Sequence, residues 1–362
     1  MAAKKVNFLF WNDRELYEIK TREIIKNAMN NNNCNMTMIS SLDNIFKRHI
    51  LKDIYKYISQ KVTVFDFKFE IDAVVHRDEH ATLWVNEEWL EFITDCSKLG
   101  IKPFSYDFGY FSHYDTFMVD AHDITGKSSI HVDWPNLSSV VDWNSVSSSI
   151  KKYREDFLKQ LNKAKNNPPI GGLPKDEYVV IWPQYSMDLL RPTFKGVLNK
   201  NTEVTEWCIK LCDMVKAQGL KPVVKIGPAA PAWTRFDIKE VEKHAPVYVC
   251  KEVHISKLGG GKFEKDINPK LIAHAKYHII SCSSVSNELV LAEAPVIAMG
   301  RSWFTGFNVF NEPDSWDTLL NNPLSLHPDN RNKWCNWWFS RQVLKEQVAD
   351  KFVEIYNKYT LI

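Results

Sequence analysis

The first part of the chain alternates short apolar runs with longer stretches of helical periodicity. Residues 6–11 are apolar and aromatic, as expected of a buried parallel strand, and a helical stretch through Met29 follows them. The same pattern predicts further strands and helices, in the order strand 36–40, helix 45–59, strand 62–67, helix 87–99 and strand 102–106. Strands that alternate with helices predict a parallel, doubly wound sheet.

A break separates this region from a second alternating region. After a charged helix at 151–165, the segment 166–174 contains three prolines and two glycines, which cannot continue a regular element. The segment therefore reads as a linker. Beyond it the pattern predicts strands at 178–182, 222–226, 247–250, 277–282 and 296–299, and helices at 203–218, 270–275, 284–294 and 342–359.

The two alternating regions predict an α/β fold with two Rossmann-like αβα domains that face a cleft. The expected domains are 1–165 and 175–340, joined by the linker 166–174, with a C-terminal helix in 341–362 that returns to the first domain. A chain of 362 residues is long enough for two domains. Open α/β sheets bind ligands beyond the carboxyl ends of their strands.

Composition narrows the classes of function only slightly. The net charge of +2 gives no overall electrostatic reason to select nucleic acid or membrane. The seven cysteines are scattered, and no second pair at zinc spacing accompanies Cys208 and Cys212, so we expect reduced thiols and no metal site. Neither a signal peptide nor an apolar stretch near 20 residues is found, so we expect a cytoplasmic protein without a membrane span.

The segment 278–300 carries the strongest chemical signal. A buried strand delivers Ser281, Ser283 and Ser284 to a helix N-terminus, where backbone N–H groups and the helix dipole suit a phosphate. Glu288 lies one turn into the helix, where its carboxylate could accept from ribose hydroxyls. The alternative is simple helix capping by Ser284. A capping box would need Ser or Thr at position 285, which is Val285.

This segment resembles the nucleotide-binding motif of the capsule-polysaccharide transferases and, more loosely, of bacterial sialyltransferases with a two-Rossmann (GT-B) fold. The matching residues are Ser283, Ser284, Glu288, Pro295, Val296 and Gly300. Two further motifs match in the expected order: residues 180–188, with Gln184 and Asp188, and residues 106–110, with Asp107 and Gly109. The resemblance implies a glycosyltransferase in which Gln184, Asp188, Ser283, Ser284 and Glu288 bind the donor and Asp107 is the catalytic base.

One motif departs from the family pattern. The family has Lys-x-His-Pro after a donor-domain strand, whereas this chain keeps Lys225 and Pro228 but has Gly227 in place of the histidine. Gly227 can offer a backbone N–H to a phosphate but no imidazole. The missing histidine therefore makes a uridine- or guanosine-diphosphate sugar a better candidate for the donor than a cytidine-monophosphate sugar, and a UDP-sugar is favoured. Arg301 is placed to meet the donor anion or to form a surface ion pair.

The first domain is expected to supply the acceptor surface. Asp120, in a cluster of acidic loop residues, and Trp134, whose ring could stack on a sugar or base, are the candidate acceptor-binding residues. The acidic cluster could hold a divalent metal, but solvated carboxylates are favoured and no metal is predicted. Trp182 and Trp303 are the tryptophans favoured at the site, with burial in the core as the alternative.

The identity of the acceptor is open between two classes. The first 61 residues hold 11 Lys and Arg against 6 Asp and Glu, which slightly favours a hydroxymethylated base of phage DNA. The motif resemblance instead points to a surface or capsular glycan. Two rival functions also stay open: a sugar-nucleotide epimerase, and a non-catalytic protein that binds carbohydrate or nucleic acid.

Overall fold

The computed structural model describes most of the chain from residue 128 onward and short segments before it. The described residues are 9–10, 37–38, 72–76, 102–108, 116–120, 128–183, 202–226, 236–250, 262–264, 267–281, 283–300, 303–320, 326–344, 347, 351, 354–355 and 358. The chain divides into two compact units. The first unit is Met1–Pro135 with Trp337–Ile362, and the second is Asn136–Asn336.

Strands of the first unit form a mixed sheet. β3 (Asp72–His76) and β4 (Lys102–Phe108) are parallel, and β5 (Thr116–Asp120) runs antiparallel to β4. β1 (Leu9–Phe10) and β2 (Thr37–Met38) form a separate parallel pair. The expectation of a purely parallel sheet is therefore wrong here, because β5 turns back directly onto β4. The strand expected at 62–67 and the helices expected at 45–59 and 87–99 lie outside the described residues.

The second unit is built on a sheet whose described strands are all parallel. They are β6 (Tyr178–Trp182), β7 (Lys221–Ile226), β8 (Val247–Cys250), β9 (Lys262–Glu264), β10 (Tyr277–Ile280) and β11 (Val296–Ala298). Their order across the sheet is β11-β10-β6-β7-β8-β9. The chain thus builds outward from β6 to β9, then returns to the other side of β6 with β10. The predicted α/β fold class is confirmed.

Helices follow the strands in sequence. They are α1 (Ile130–Asp133), α2 (Ser148–Lys165), α3 (Thr202–Ala217), α4 (Ile238–Glu242), α5 (Ile267–Ile272), α6 (Ser286–Leu291) and α7 (Pro328–Arg341). None of these described helices has the length and apolar character needed to cross a bilayer. The segment 166–174, with a 3-10 turn at Ile170–Gly172, lies inside the second unit, because α2 before it packs on α5 and α6.

Side chains alternate between the two faces of the parallel sheet. One set, which includes Val179, Ile181, Val224 and Ile279, forms a core with α3 and α4. The intervening residues of β6 and β10 are equally buried on the opposite face. Burial on both faces is typical of a parallel sheet with helices on each side. It explains why these strands read as continuous apolar runs in the sequence.

The C-terminal region differs from the sequence expectation. Residues Gln342–Leu344 form β12, which pairs antiparallel with β5 of the first unit, and not the start of a helix. A helix that the sequence did not predict, α7, precedes this strand and begins at Pro328, where the missing N–H of proline costs nothing. The described residues 351, 354–355 and 358 of the predicted helix are helical. Trp334, Trp337 and Trp338 are buried residues of α7.

Candidate functional site

The strand order of the second unit creates a topological switch point between β6 and β10. Trp182 ends β6, Ile280 ends β10, and Lys225 is the second-last residue of the neighbouring β7. In open α/β sheets, ligands bind outside the carboxyl ends of the strands at such a point. The polar residues on these elements are therefore the candidate site.

Glu288 of α6 accepts a hydrogen bond on each of its carboxylate oxygens. Tyr153 Oη donates to its Oε1 over 3.1 Å, and Asn268 Nδ2 donates to its Oε2 over 2.7 Å. Burial raises the pKa of Glu288, opposed by the hydrogen bond from Asn268, the charge of Lys225 and the hydrogen bond from Tyr153. The carboxylate is thus held between α2 and α5 with a donor on each oxygen.

Tyr153 acts as a donor in this arrangement. Burial and then the negative charge of Glu288 raise the pKa of Tyr153 well above its ordinary value. Its hydroxyl therefore keeps its proton at neutral pH and can donate it to the carboxylate.

Lys225 places a positive charge inside the unit. Its side chain is buried, and Nζ lies 5.6 Å from the centroid of the Trp182 ring. A cation at this distance from the face of an indole is attracted to it. The charge of Lys225 also lowers the pKa of Glu288 against the effect of burial. β7 and α6 thus bring opposite charges to the same edge of the sheet.

His278 and Trp182 form a buried pair on the same face. Trp182 Nε1 donates to His278 Nδ1 over 3.2 Å, so the ring hydrogen of the neutral imidazole is on Nε2. Burial lowers the pKa of His278 to about 3. The imidazole is therefore neutral at physiological pH.

Several buried polar atoms near these elements have no hydrogen-bond partner among the described residues. They are His278 Nε2, Asn268 Oδ1, Ser286 Oγ, and Oδ1 and Nδ2 of Asn287. An unpaired buried polar atom costs about 1–3 kcal/mol, and native proteins hold few of them. These five atoms are among fifteen such atoms in the described residues, and a polar ligand or ordered water would supply the partners that they lack.

Ser283 and Ser284 precede α6, which starts two residues later than the sequence predicted. Ser283 Oγ accepts from Val285 N over 3.4 Å. The carbonyls of Ser283 and Ser284 accept from Ser286 N and Asn287 N over 3.0 and 3.1 Å. These first-turn amides therefore form hydrogen bonds within the turn. Ser283 and Ser284 thus offer a ligand their hydroxyl groups, and not a set of backbone N–H groups.

Asp107 lies inside β4, with its Cα opposite that of Met118 in β5. The sequence placed Asp107 just after a strand that ended at residue 106. The strand is longer because β5 returns antiparallel and pairs with it through Phe108. The role of Asp107 as a base stays a prediction.

Asp120 is fully buried, unlike the acceptor-binding surface residue that the sequence suggested. Ser129 donates to both carboxylate oxygens of Asp120, and Arg341 Nε lies 3.4 Å from Oδ2. Asp133 pairs with Arg341 and with Lys358, each over 2.7 Å. The structure therefore places Asp120 in an internal ion-pair cluster with Asp133 and Arg341.

The other predicted site residues are either partly or fully buried tryptophans or lie outside the described residues. Trp134 is partly buried in the 3-10 turn Trp134–Asn136, and Trp182 and Trp303 are buried. Among the described residues, no group of three or more His, Cys, Asp or Glu is placed to hold a metal. The remaining donor-binding predictions lie outside the described residues: Gln184, Asp188, Gly227 and Arg301.

Sequence reasoning missed Tyr153 and Asn268. Tyr153 lies in a charged helix, 135 residues before Glu288, and no local pattern distinguishes it from a surface residue. Asn268 lies 20 residues before Glu288, at the start of a short helix that the sequence placed later. Only the packing of α2 and α5 beside α6 shows that these two residues belong together.

The structure defines an α/β protein with a cluster of buried polar residues, the candidate ligand site, at the switch point of a parallel sheet. No protein-family model and no curated protein sequence matches the chain. Solved structures that match it include sugar-transferring enzymes and sugar-nucleotide epimerases.

Two of these matches are KpsC enzymes of Thermosulfurimonas dismutans. The beta Kdo 2,7 transferase is 12% identical over 97% of this chain and 99% of that chain, with a TM-score of 0.44. The beta Kdo 2,4 transferase is 11% identical over 92% and 90%, with a TM-score of 0.42. A third match is the UDP-GlcNAc 2-epimerase of Methanocaldococcus jannaschii in complex with UDP-GlcNAc and UDP, 13% identical over 97% and 99%, with a TM-score of 0.34. Because these similarities are low, the function of this chain has to be inferred from its own residues.

Proposed function

We propose that this protein is a glycosyltransferase that moves a sugar from a nucleotide-sugar donor to an acceptor hydroxyl. The observation that carries the proposal is that a buried cation, Lys225, lies near enough to a positioned carboxylate, Glu288, to lower its pKa, at the switch point of the parallel sheet. A nucleotide sugar presents the complementary groups, which are anionic phosphates and ribose hydroxyls. The motif resemblance around Glu288 supports the same class of ligand.

Each site residue has a defined role in this proposal. The ammonium group of Lys225 stabilises the negative charge that develops on the leaving phosphate. Glu288 accepts from a ribose hydroxyl. A carboxylate offers about four acceptor positions, so the bonds from Tyr153 and Asn268 leave room for a ligand. Ser283 and Ser284 add hydroxyl groups beside it, and a UDP-sugar is the favoured donor.

The transfer itself needs a base for the acceptor. The acceptor oxygen attacks the anomeric carbon, the bond from that carbon to the donor phosphate breaks, and the hydroxyl proton passes to the base. Asp107 is the proposed base, on the motif resemblance. The nucleotide diphosphate leaves with the bonding electrons.

A glycan is the proposed acceptor. All three motifs that the chain shares with known enzymes belong to enzymes that build glycans. The competing DNA acceptor rests on the basic lean of the first 61 residues, most of which lie outside the described residues.

The donor site is tested by measuring the affinity for uridine diphosphate by calorimetry. Lys225→Met should weaken binding by about tenfold to a hundredfold, because a charged hydrogen bond contributes about 1.5–3 kcal/mol. Lys221→Met is the matched control, since Lys221 is an exposed residue at the start of the same strand. Equal affinity in wild type and Lys225→Met would contradict the proposed site.

The reaction is tested by mass spectrometry after incubation with a panel of nucleotide sugars, with oligosaccharides or hydroxymethylated duplex DNA as acceptors. We expect transfer to a glycan, and loss of transfer with retained donor binding in Asp107→Asn, because an amide cannot take the proton. Transfer to DNA, with DNA binding that weakens steeply from about 50 to 200 mM salt, would show that the acceptor is DNA and not a glycan. Formation of an epimerised free nucleotide sugar without acceptor would show that the protein is an epimerase and not a transferase.

A further inference from the structure

Tyr153 and Asn268 have no assigned role in binding a ligand, yet both contact the carboxylate of Glu288. We propose that they are positioning residues that hold Glu288 as an acceptor for the ribose of the donor, and so determine specificity for ribose over deoxyribose. The inference rests on the proposed function, because it takes the ligand to be a nucleotide.

The carboxylate of Glu288 is held from two sides. Each oxygen of Glu288 receives one hydrogen bond, and the two donors come from different helices, α2 and α5. Two bonds from fixed elements leave a carboxylate little freedom to rotate about its terminal torsion. A carboxylate held in one orientation before binding loses less entropy when it accepts a ligand hydroxyl.

The other half of the Asn268 amide is an unused acceptor. Its nitrogen is committed to Glu288, which fixes which end of the amide carries the oxygen. That oxygen, Oδ1, is buried and has no partner among the described residues. Asn268 therefore presents an unused acceptor beside the carboxylate, where a second hydroxyl donor would remove the cost of leaving it unpaired.

Two adjacent acceptors match the two neighbouring hydroxyls of ribose. The 2′ and 3′ hydroxyls lie on the same side of the sugar ring, and each can donate one hydrogen bond. A 2′-deoxynucleotide lacks one donor and leaves a buried acceptor unpaired. Sites built to bind a hydroxyl reject the analogue that lacks it for this reason.

The test compares uridine diphosphate with 2′-deoxyuridine diphosphate by calorimetry. Wild type should prefer the ribonucleotide by about tenfold or more, equivalent to one unpaired buried acceptor. In Tyr153→Phe the preference should shrink to about twofold, because the carboxylate is no longer held. Asn268→Leu removes both the donor and the unused acceptor, and should lose the preference as well.

Tyr277→Phe is the matched control. It also removes a phenolic hydrogen bond, from Tyr277 Oη to Gln218 Oε1 over 2.9 Å, but on the opposite face of the sheet. Its ribose preference should equal that of wild type. A merely structural role for Tyr153 would weaken the binding of both nucleotides equally and leave their ratio unchanged.

The outcomes separate this inference from the proposed function. A wild-type preference for ribose that survives in both Tyr153→Phe and Asn268→Leu would overturn the positioning role while leaving nucleotide binding intact. Absence of a ribose preference in wild type would overturn the specificity role. Failure of wild type to bind uridine, guanosine or cytidine diphosphate at all would instead overturn the proposed function and remove the basis of the inference.

Discussion

Single buried residues of β6, β7 and β10 carry both the candidate chemistry and a measurable dependence on pH. His278 is the clearest case. It is fully buried, accepts a hydrogen bond from Trp182, and titrates with a pKa of about 3 because its charged form is excluded from the interior. In an unfolded chain the same imidazole titrates near 6.5.

This difference makes His278 a source of acid sensitivity. Between pH 6.5 and about 3, the unfolded state binds a proton that the folded state does not, so the free energy of unfolding falls as the pH falls. At pH 5, protonation of His278 in the unfolded state lowers the free energy of unfolding by about 2 kcal/mol. His278→Gln, whose amide can still accept from Trp182, should lose this part of the pH dependence.

Urea unfolding of wild type and His278→Gln at pH 7 and pH 5 measures the effect. The relevant quantity is the change in stability between the two pH values, which is independent of any constant cost of the substitution. His131→Gln, at an exposed position, is the control and should follow wild type. An identical loss of stability on acidification in wild type and His278→Gln would refute the assignment.

At the scale of elements, the sequence predicted the fully buried strands best. The apolar runs of β6 and β8 are bounded by polar or turn residues, and both strands have the predicted limits. β5 and β12 were missed because they pair antiparallel at the end of a mixed sheet, where tertiary pairing outweighs the local pattern. The start of α6 was misplaced because the Ser283–Ser284 turn precedes it.

The turn at Ile170–Gly172 gives a prediction at this scale. Gly171 has φ +60°, and a Cβ there would lie 2.4 Å from Tyr248 Oη. Gly172 has φ +71°, but a Cβ there would meet no atom within 4 Å. Gly171→Ala should therefore destabilise the protein by about 2–4 kcal/mol, and Gly172→Ala by about 1 kcal/mol from backbone strain alone.

Thermal or urea unfolding of the two variants checks this difference. In Gly171→Ala/Tyr248→Phe, loss of the Tyr248 hydroxyl should recover the part of the cost that is due to the clash. If the two single variants are equally stable, the close approach of Tyr248 to the turn is not a feature of the folded protein.

At the scale of the whole molecule, the class of fold could be predicted, whereas the composition of the site could be predicted only in part. Lys225 and Glu288 were identified from their motifs, because Lys225 lies near the end of one predicted strand and Glu288 lies on the helix that follows another. Tyr153 and Asn268 join them only through helix packing across the second unit. Asp120 was misread because a run of acidic residues looks the same in a surface loop and in a buried ion-pair cluster.

That ion-pair cluster supports a prediction on the first unit. Arg341 contacts both Asp120 and Asp133, and all three side chains are buried. Arg341→Met should cost about 3–5 kcal/mol, because it leaves buried carboxylates without their main counter-charge. Lys358→Met removes an exposed partner of Asp133 and should cost less than about 1 kcal/mol.

Chemical unfolding monitored by circular dichroism measures both variants. The expected result is a much lower midpoint for Arg341→Met and a nearly unchanged midpoint for Lys358→Met. Equal small losses in the two variants would show that Arg341 does not hold the cluster together.

The position of β12 has a consequence for how the protein is made. Asn136–Asn336 is one continuous stretch, so the second unit can fold as soon as it has left the ribosome. The first unit must wait, because the edge of its sheet is completed by Gln342–Leu344 and its buried aspartates are neutralised by Arg341. During synthesis, β5 therefore exposes an unpaired edge for the time needed to translate about 220 further residues, about 10–45 s at ordinary elongation rates. A truncated chain that ends before residue 341 should contain a folded second unit and a protease-sensitive first one.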